Sequence, residues 1–126
     1  MTDSSLPSAI LGLVRHRRAD DRIGRLELVG ALRARGFFLD VSDETADRRM
    51  RAAIAVLRTT TEEGARIAST SDGSGYWYAR SPEEIEVCAA GLASRISSIN
   101  AAVRNMRREA DRLKLQSQQL EQGRLI

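Results

Sequence analysis

Cysteine, histidine, lysine and proline are nearly missing from this 126-residue chain, and the scarcities close off several classes of function. The single cysteine, Cys88, rules out an intrachain disulfide and the usual four-ligand zinc cluster, and reads as a small apolar filler in a helix. The single histidine, His16, sits among arginines, and no metal-ligand spacing or nucleotide-binding motif accompanies it. An enzyme is therefore not expected, nor a cofactor, a metal or a small-molecule effector. No apolar run approaches the roughly 20 residues a membrane span needs, so a membrane partner is not expected either. At the N-terminus the apolar residues precede Arg15, Arg17 and Arg18, the reverse of a secretory signal, which makes the cytoplasm the expected compartment. Five aromatics beside 42% hydrophobic and 29% charged residues describe a soluble, helix-rich chain. The length suits one domain of about 80 residues with an appendage, able to bury one modest core.

What is abundant is arginine. Lys114 is the only lysine among 20 basic residues, yet the net charge is just +3. Residues 1–80 carry thirteen basic against eleven acidic side chains, and residues 81–126 seven against six. Total charge does not announce nucleic acid; only its arrangement can identify a partner.

The arrangement tells most over residues 43–80. Ala46, Met50, Ala53, Ile54 and Leu57 recur at steps of three and four, which places them on one helical face and leaves Arg48, Arg49, Arg51 and Arg58 on the others. After a polar break come two short segments with β-branched and aromatic residues, 65–70 and 76–80, joined by Ser71-Asp72-Gly73-Ser74-Gly75, residue types that suit a hairpin turn. Alternation sends Tyr76, Tyr78 and Ile67 toward a core and Trp77 to the other side, to cover the back of the hairpin or touch the following helix.

A basic helix followed at once by a glycine-tipped hairpin resembles the winged helix-turn-helix modules of phage and bacterial DNA-binding proteins. The resemblance rests on Arg48, Arg51, Ala53, Ile54, Leu57, Arg58, Gly64, Ile67, Ser69, Gly75, Tyr76, Trp77 and Ala79, and spans roughly the first two-thirds of the chain. It implies that the helix is the recognition helix and the hairpin the wing. Thr45, Arg48, Arg49 and Ala52 are then the candidates for base edges, since arginine forks onto guanine and the methyls of threonine and alanine suit thymine. Arg51 and Arg58 are candidate phosphate contacts or intrahelical partners, and Arg66 and Ser74 candidate backbone contacts from the wing. Glu44 and Asp47 would face phosphates unless each is held by a neighbouring arginine or reads a cytosine amine.

Upstream, residues 1–7 are expected to be flexible and the winged domain to cover 8–80. A first helix is expected over 8–18, with Ile10, Leu11 and Val14 inward and Arg15, Arg17 and Arg18 at its C-terminal end, meeting the helix dipole or phosphates. Residues 22–25 suit a short extra strand. Leu26, Leu28, Val29 and Leu32 mark a second helix ended by Gly36. Phe37 and Phe38 are expected to plug the angle between the second and third helices, and Ser42 or Asp43 to cap the third.

Ser81-Pro82-Glu83-Glu84 opens a last helix with a serine cap, a proline in the first turn and early acids. The series Ile85, Ala89, Leu92, Ile96, Ile99, Val103, Met106, Ala110, Leu113, Ser117 and Leu120 then alternates steps of four and three without a stutter, about five heptads or ~54 Å. So long a seam needs a partner. Residues 81–122 are read as an oligomerisation segment and 123–126 as a tail. Ile85–Ile96 is expected to pack back on the winged domain, and Leu92, Ile96, Ile99, Val103, Met106, Leu113 and Leu120 are the expected dimer seam. Glu109 and Lys114 could bridge a parallel dimer, while the small Ala110 and Ser117 keep antiparallel pairing and a higher bundle open.

The expected fold class is mainly α with a small β-hairpin, an α+β winged helix-turn-helix followed by a long dimerisation helix. The expected function is a homodimeric, sequence-specific double-stranded DNA-binding protein, a transcriptional regulator that would be nucleoid-associated when bound. The alternatives are a phage-type replication or genome-maintenance factor, and a winged-helix adaptor that binds protein rather than DNA.

Overall fold

The computed structural model describes residues 5–70 and 72–124, with side chains to residue 123; expectations that fall on residues 1–4, Ser71 and 125–126 lie outside the described residues. Helix α1 spans Leu6–Val14. It begins before residue 8, where the sequence pattern placed it, because Ser5 accepts a hydrogen bond from the Ser8 amide and Pro7 fits a first turn that has no use for its missing N–H. It also ends earlier than residue 18, so Arg17 and Arg18 lie in the turn beyond it.

Helix α2 spans Arg25–Ala34 and buries Leu28, Val29 and Leu32. Leu26, assigned to the same apolar face by its spacing, is instead 70% exposed. Gly36, at φ +96°, terminates the helix as expected: its amide donates to Arg33 O and that of Phe37 to Leu32 O, the paired bonds of a glycine-ended helix. Phe37, Phe38 and Val41 pack half-buried against the core, while Leu39 points outward.

Helix α3 spans Asp43–Thr60, with Ser42 as its cap, and buries Ala46, Met50, Ile54 and Leu57. A 3-10 turn, Gly64–Arg66, follows. Strands β1, Ile67–Ser69, and β2, Tyr76–Tyr78, pair antiparallel with Ile67 opposite Tyr78. β1 is shorter than the sequence segment 65–70 because Ala65 and Arg66 belong to the 3-10 turn. The expected extra strand at 22–25 reduces to one rung, in which Ile23 and Tyr76 exchange both backbone hydrogen bonds at 2.9 and 2.8 Å, before Arg25 starts α2. Among the described residues, two strands against 69% helix make the class α+β.

The hairpin alternates as its sequence requires. Ile67, Tyr76 and Tyr78 join the core of α1, α2 and α3, while Ala68, Trp77 and Ala79 form a second cluster with Ala19, Ile85 and Cys88. Cys88 is thus a half-buried filler beside the tryptophan. Helix α4, Pro82–Arg124, is unbroken over 43 residues, and Ser81 Oγ accepts from the Glu84 amide at its start. The chain divides into two compact units after Gly91. Among the described residues no helix is long and apolar enough to cross a membrane.

Two glycines are demanded by their surroundings. A Cβ on Gly64 would lie 2.1 Å from Leu57 O, and one on Gly75, at φ +138°, 2.5 Å from Ile23 O. Gly64→Ala therefore forces the 3-10 turn off the end of α3 and should cost about 1–3 kcal/mol in urea unfolding. Gly91→Ala, which meets no atom within 4 Å, should instead raise stability by roughly 0.5–1 kcal/mol through helix propensity.

Candidate functional site

With Ala46, Met50, Ile54 and Leu57 turned inward, the 3.6-residue period of α3 places Arg48, Ala52, Ala55 and Thr59 on its opposite side. Arg48 and Arg49 are exposed, and neither has a hydrogen bond or carboxylate partner among the described residues. Ala52 and Ala55 leave a small-residue surface on the turns that follow Arg48 and Arg49. Thr45 is half-buried and engaged at the cap, its amide and hydroxyl both bonded to Ser42 Oγ.

The other candidate side chains are held by their own fold. Arg51 pairs with Asp47 at 3.0 Å, and Arg25, from the start of α2, approaches the same carboxylate at 3.8 Å. Asp47 is therefore neutralised from two sides and its charge is not left facing outward. Arg58 reaches back across the hairpin, its Nε donating to Ile67 O at 3.0 Å and its Nη2 to Ser69 Oγ at 2.9 Å. Arg66 donates to Ala79 O at 2.9 Å and lies over the Tyr78 ring, 4.4 Å from its centroid. Ser74 accepts from Arg22 Nη1 at 2.7 Å, lies 2.8 Å from Thr70 Oγ1, and donates its amide to Asp72 at 3.0 Å. Chiefly the bond from the Thr70 hydroxyl, and then those from Ser74, hold the Asp72 carboxyl below its usual range.

Three arginines outside the expected set position this surface. Arg22 links the hairpin tip to the preceding turn, its Nε on Ala19 O and its guanidinium over Trp77 at 4.5 Å. Arg25 lies between the hairpin tip at Gly73 and Asp47 of α3. Arg80 donates to the carbonyls of Arg15, Arg17 and Tyr78, fastening the end of the hairpin to the turn after α1. The basic cluster expected to meet the helix dipole or phosphates is itself paired in part: Arg15 with Glu63 at 2.9 Å, and Arg17 with Asp21 and Glu27. No single-residue signal separates these roles in the sequence, because arginine is everywhere and the partners are up to 65 residues distant.

Along the last helix, Ile96, Ile99, Val103, Met106, Leu113 and Leu120 are 37–70% exposed, and Leu92 is half-buried. Among the described residues no cluster of histidine, cysteine, aspartate and glutamate could hold a metal. No known family model, curated protein or solved structure matches the chain.

Removing Arg58's two bonds leaves Ile67 O without its donor, so Arg58→Met should destabilise by about 1–3 kcal/mol, whereas Arg48→Ala should stay within roughly 0.5 kcal/mol. Urea titration followed by the fluorescence of Trp77 reads both. The Tyr76 phenol is pushed above its ordinary value of 10.0, chiefly by burial. Its neutral form therefore favours the fold below pH ~10, and that contribution is lost as pH rises through the higher folded value. Tyr76→Phe should flatten the alkaline limb of stability against pH.

Proposed function

We propose that the chain is a dimeric double-stranded DNA-binding protein of the winged helix-turn-helix type, acting as a transcriptional regulator. The observation that carries this reading is the pair Arg48 and Arg49, exposed and unpaired on α3 beside Ala52, while every other arginine of that helix is engaged within the fold. A planar guanidinium that has no carboxylate to satisfy it suits the O6 and N7 acceptors of guanine or a phosphate oxygen. The small side chains of Ala52 and Ala55 on the following turns allow the helix to approach a groove floor closely.

In this reading α3 is the recognition helix and the hairpin the wing. Arg58 and Arg66 set the angle of the wing rather than touching nucleic acid themselves. Asp47 is no obstacle, since Arg51 and Arg25 hold it. The exposed seam of α4 joins two copies, which compensates for the weak binding of one small domain by effective concentration. The target would be an inverted repeat with half-sites about one helical turn apart or a multiple of it. A replication or genome-maintenance role would use the same surface, and footprinting on promoters against origins separates the two.

One observation favours a protein-docking role instead. Five of the eight candidate contact residues, Thr45, Arg51, Arg58, Arg66 and Ser74, already have partners inside the chain, and Val56 is 58% exposed on α3. Salt separates these readings. Duplex affinity should fall steeply between ~50 and ~200 mM salt, and Arg48→Ala with Arg49→Ala should weaken it by at least about tenfold, lowering the salt slope by up to ~2 if both touch phosphate. Fluorescence anisotropy on duplex oligonucleotides measures this; affinity that ignores both salt and the double substitution would move the function to protein docking.

A further inference from the structure

The proposed function leaves open how two copies join, and the residues of α4 decide it. On this single unbroken helix the seam is uneven: Ile96, Ile99, Val103 and Met106 form a bulky centre, with Leu92 and the small Ala89 before it and the small Ala110 and Ser117 after it. Charge is uneven too. Glu83, Glu84 and Glu86 cluster in the first turns, whereas Arg104, Arg107, Arg108 and Lys114 crowd the middle.

We infer that the occupant of this seam is a second copy of the same chain, running antiparallel, with the twofold axis beside Ala101. In that register Ile96 faces Met106 of the second copy and Ile99 faces Val103. Leu92 then meets Ala110, Leu113 meets Ala89, and Ile85, already half-buried against the Trp77 cluster, meets only Ser117. Each large side chain beyond the centre finds a small one, so the layers fill evenly. A parallel pair stacks Ala89, Ala110 and Ser117 each on its own copy and leaves three thin layers.

The flanking charges agree. Antiparallel pairing sets Glu86 beside Lys114 and Arg95 beside Glu109, each twice by symmetry, and Asn100 and Ala102 meet their own uncharged copies. Parallel pairing keeps only Glu109 beside Lys114 and brings the Arg104, Arg107 and Arg108 clusters of both chains alongside each other. Glu109 is engaged by Arg112 of its own helix at 2.7 Å, an exposed pair that can exchange for Arg95 at little cost.

This inference rests on the dimer of the proposed function and is tested apart from DNA binding. In a Cys88→Ser background, whose helix content and stability are compared with the native chain, spin labels are placed through Gln119→Cys or Ala101→Cys in the full-length protein. Pulsed dipolar spectroscopy should give about 54 Å between the labels at 119 from the helical rise, and under about 30 Å at 101. Short distances at both positions mean a parallel pair and overturn the proposal while leaving a DNA-binding dimer intact. A long distance at 101 overturns the register. No coupling at either position, with a monomer in sedimentation of the native chain, overturns both the pairing and the dimeric part of the function, and duplex affinity on the same sample still reports on Arg48 and Arg49.

Discussion

The packing of α3 governs the first unit. Its apolar stripe, Ala46, Met50, Ile54 and Leu57, is nearly or fully buried against α1, α2 and the inner face of the hairpin. Once that stripe is inward, the helix has no rotational freedom left, since a turn of one residue would expose Met50 and bury arginine. Burial of four apolar side chains thereby sets which guanidinium groups face water. At the far end Arg58 extends the same constraint to the hairpin, joining helix and strand through two hydrogen bonds that an aliphatic side chain could not supply.

Arginine carries most of the polar organisation. Arg80 gathers three carbonyls, Arg22 ties the hairpin tip to the preceding turn, Arg33 bonds to Val41 O and pairs with Asp43 at the start of α3, and Arg66 covers Tyr78. A planar fork with five donors can satisfy several loop carbonyls in a fixed geometry while its stem covers apolar surface, whereas a lysine offers three donors from a single nitrogen. This explains how a chain so rich in basic residues presents few free cations near α3. It also explains why the net charge of +3 is a poor guide to partners: beside α3 the open cations are few.

The last helix follows a different logic. Its first turns are placed by Trp77, Ala68 and Ala79, which half-bury Ile85 and Cys88. Beyond Gly91 the seam residues Ile96, Ile99, Met106 and Leu120 are exposed among the described residues, which is the apolar surface the proposed dimer would cover. In the proposed dimer the uneven sizes and charges along that seam make orientation a matter of complementarity rather than of total apolar area.

Periodicity makes the helices legible in the sequence alone. The stripe of α3, the start of α4 at Ser81, the glycine that ends α2 and the alternation of Tyr76, Trp77 and Tyr78 are local properties, set by the helical and strand repeats and by caps a few residues away. Arg48, Arg49 and Ala52 also stand where the helical repeat put them. The exposure of Leu26, the shortening of β1, the single rung at Ile23 and the engagement of Arg51, Arg58, Arg66 and Ser74 were not readable in this way. Spacing along a chain tells which side of an element a residue occupies. Only the folded chain tells which distant carbonyl or carboxylate lies within about 3 Å of it, and a guanidinium hydrogen-bonds with whatever is there.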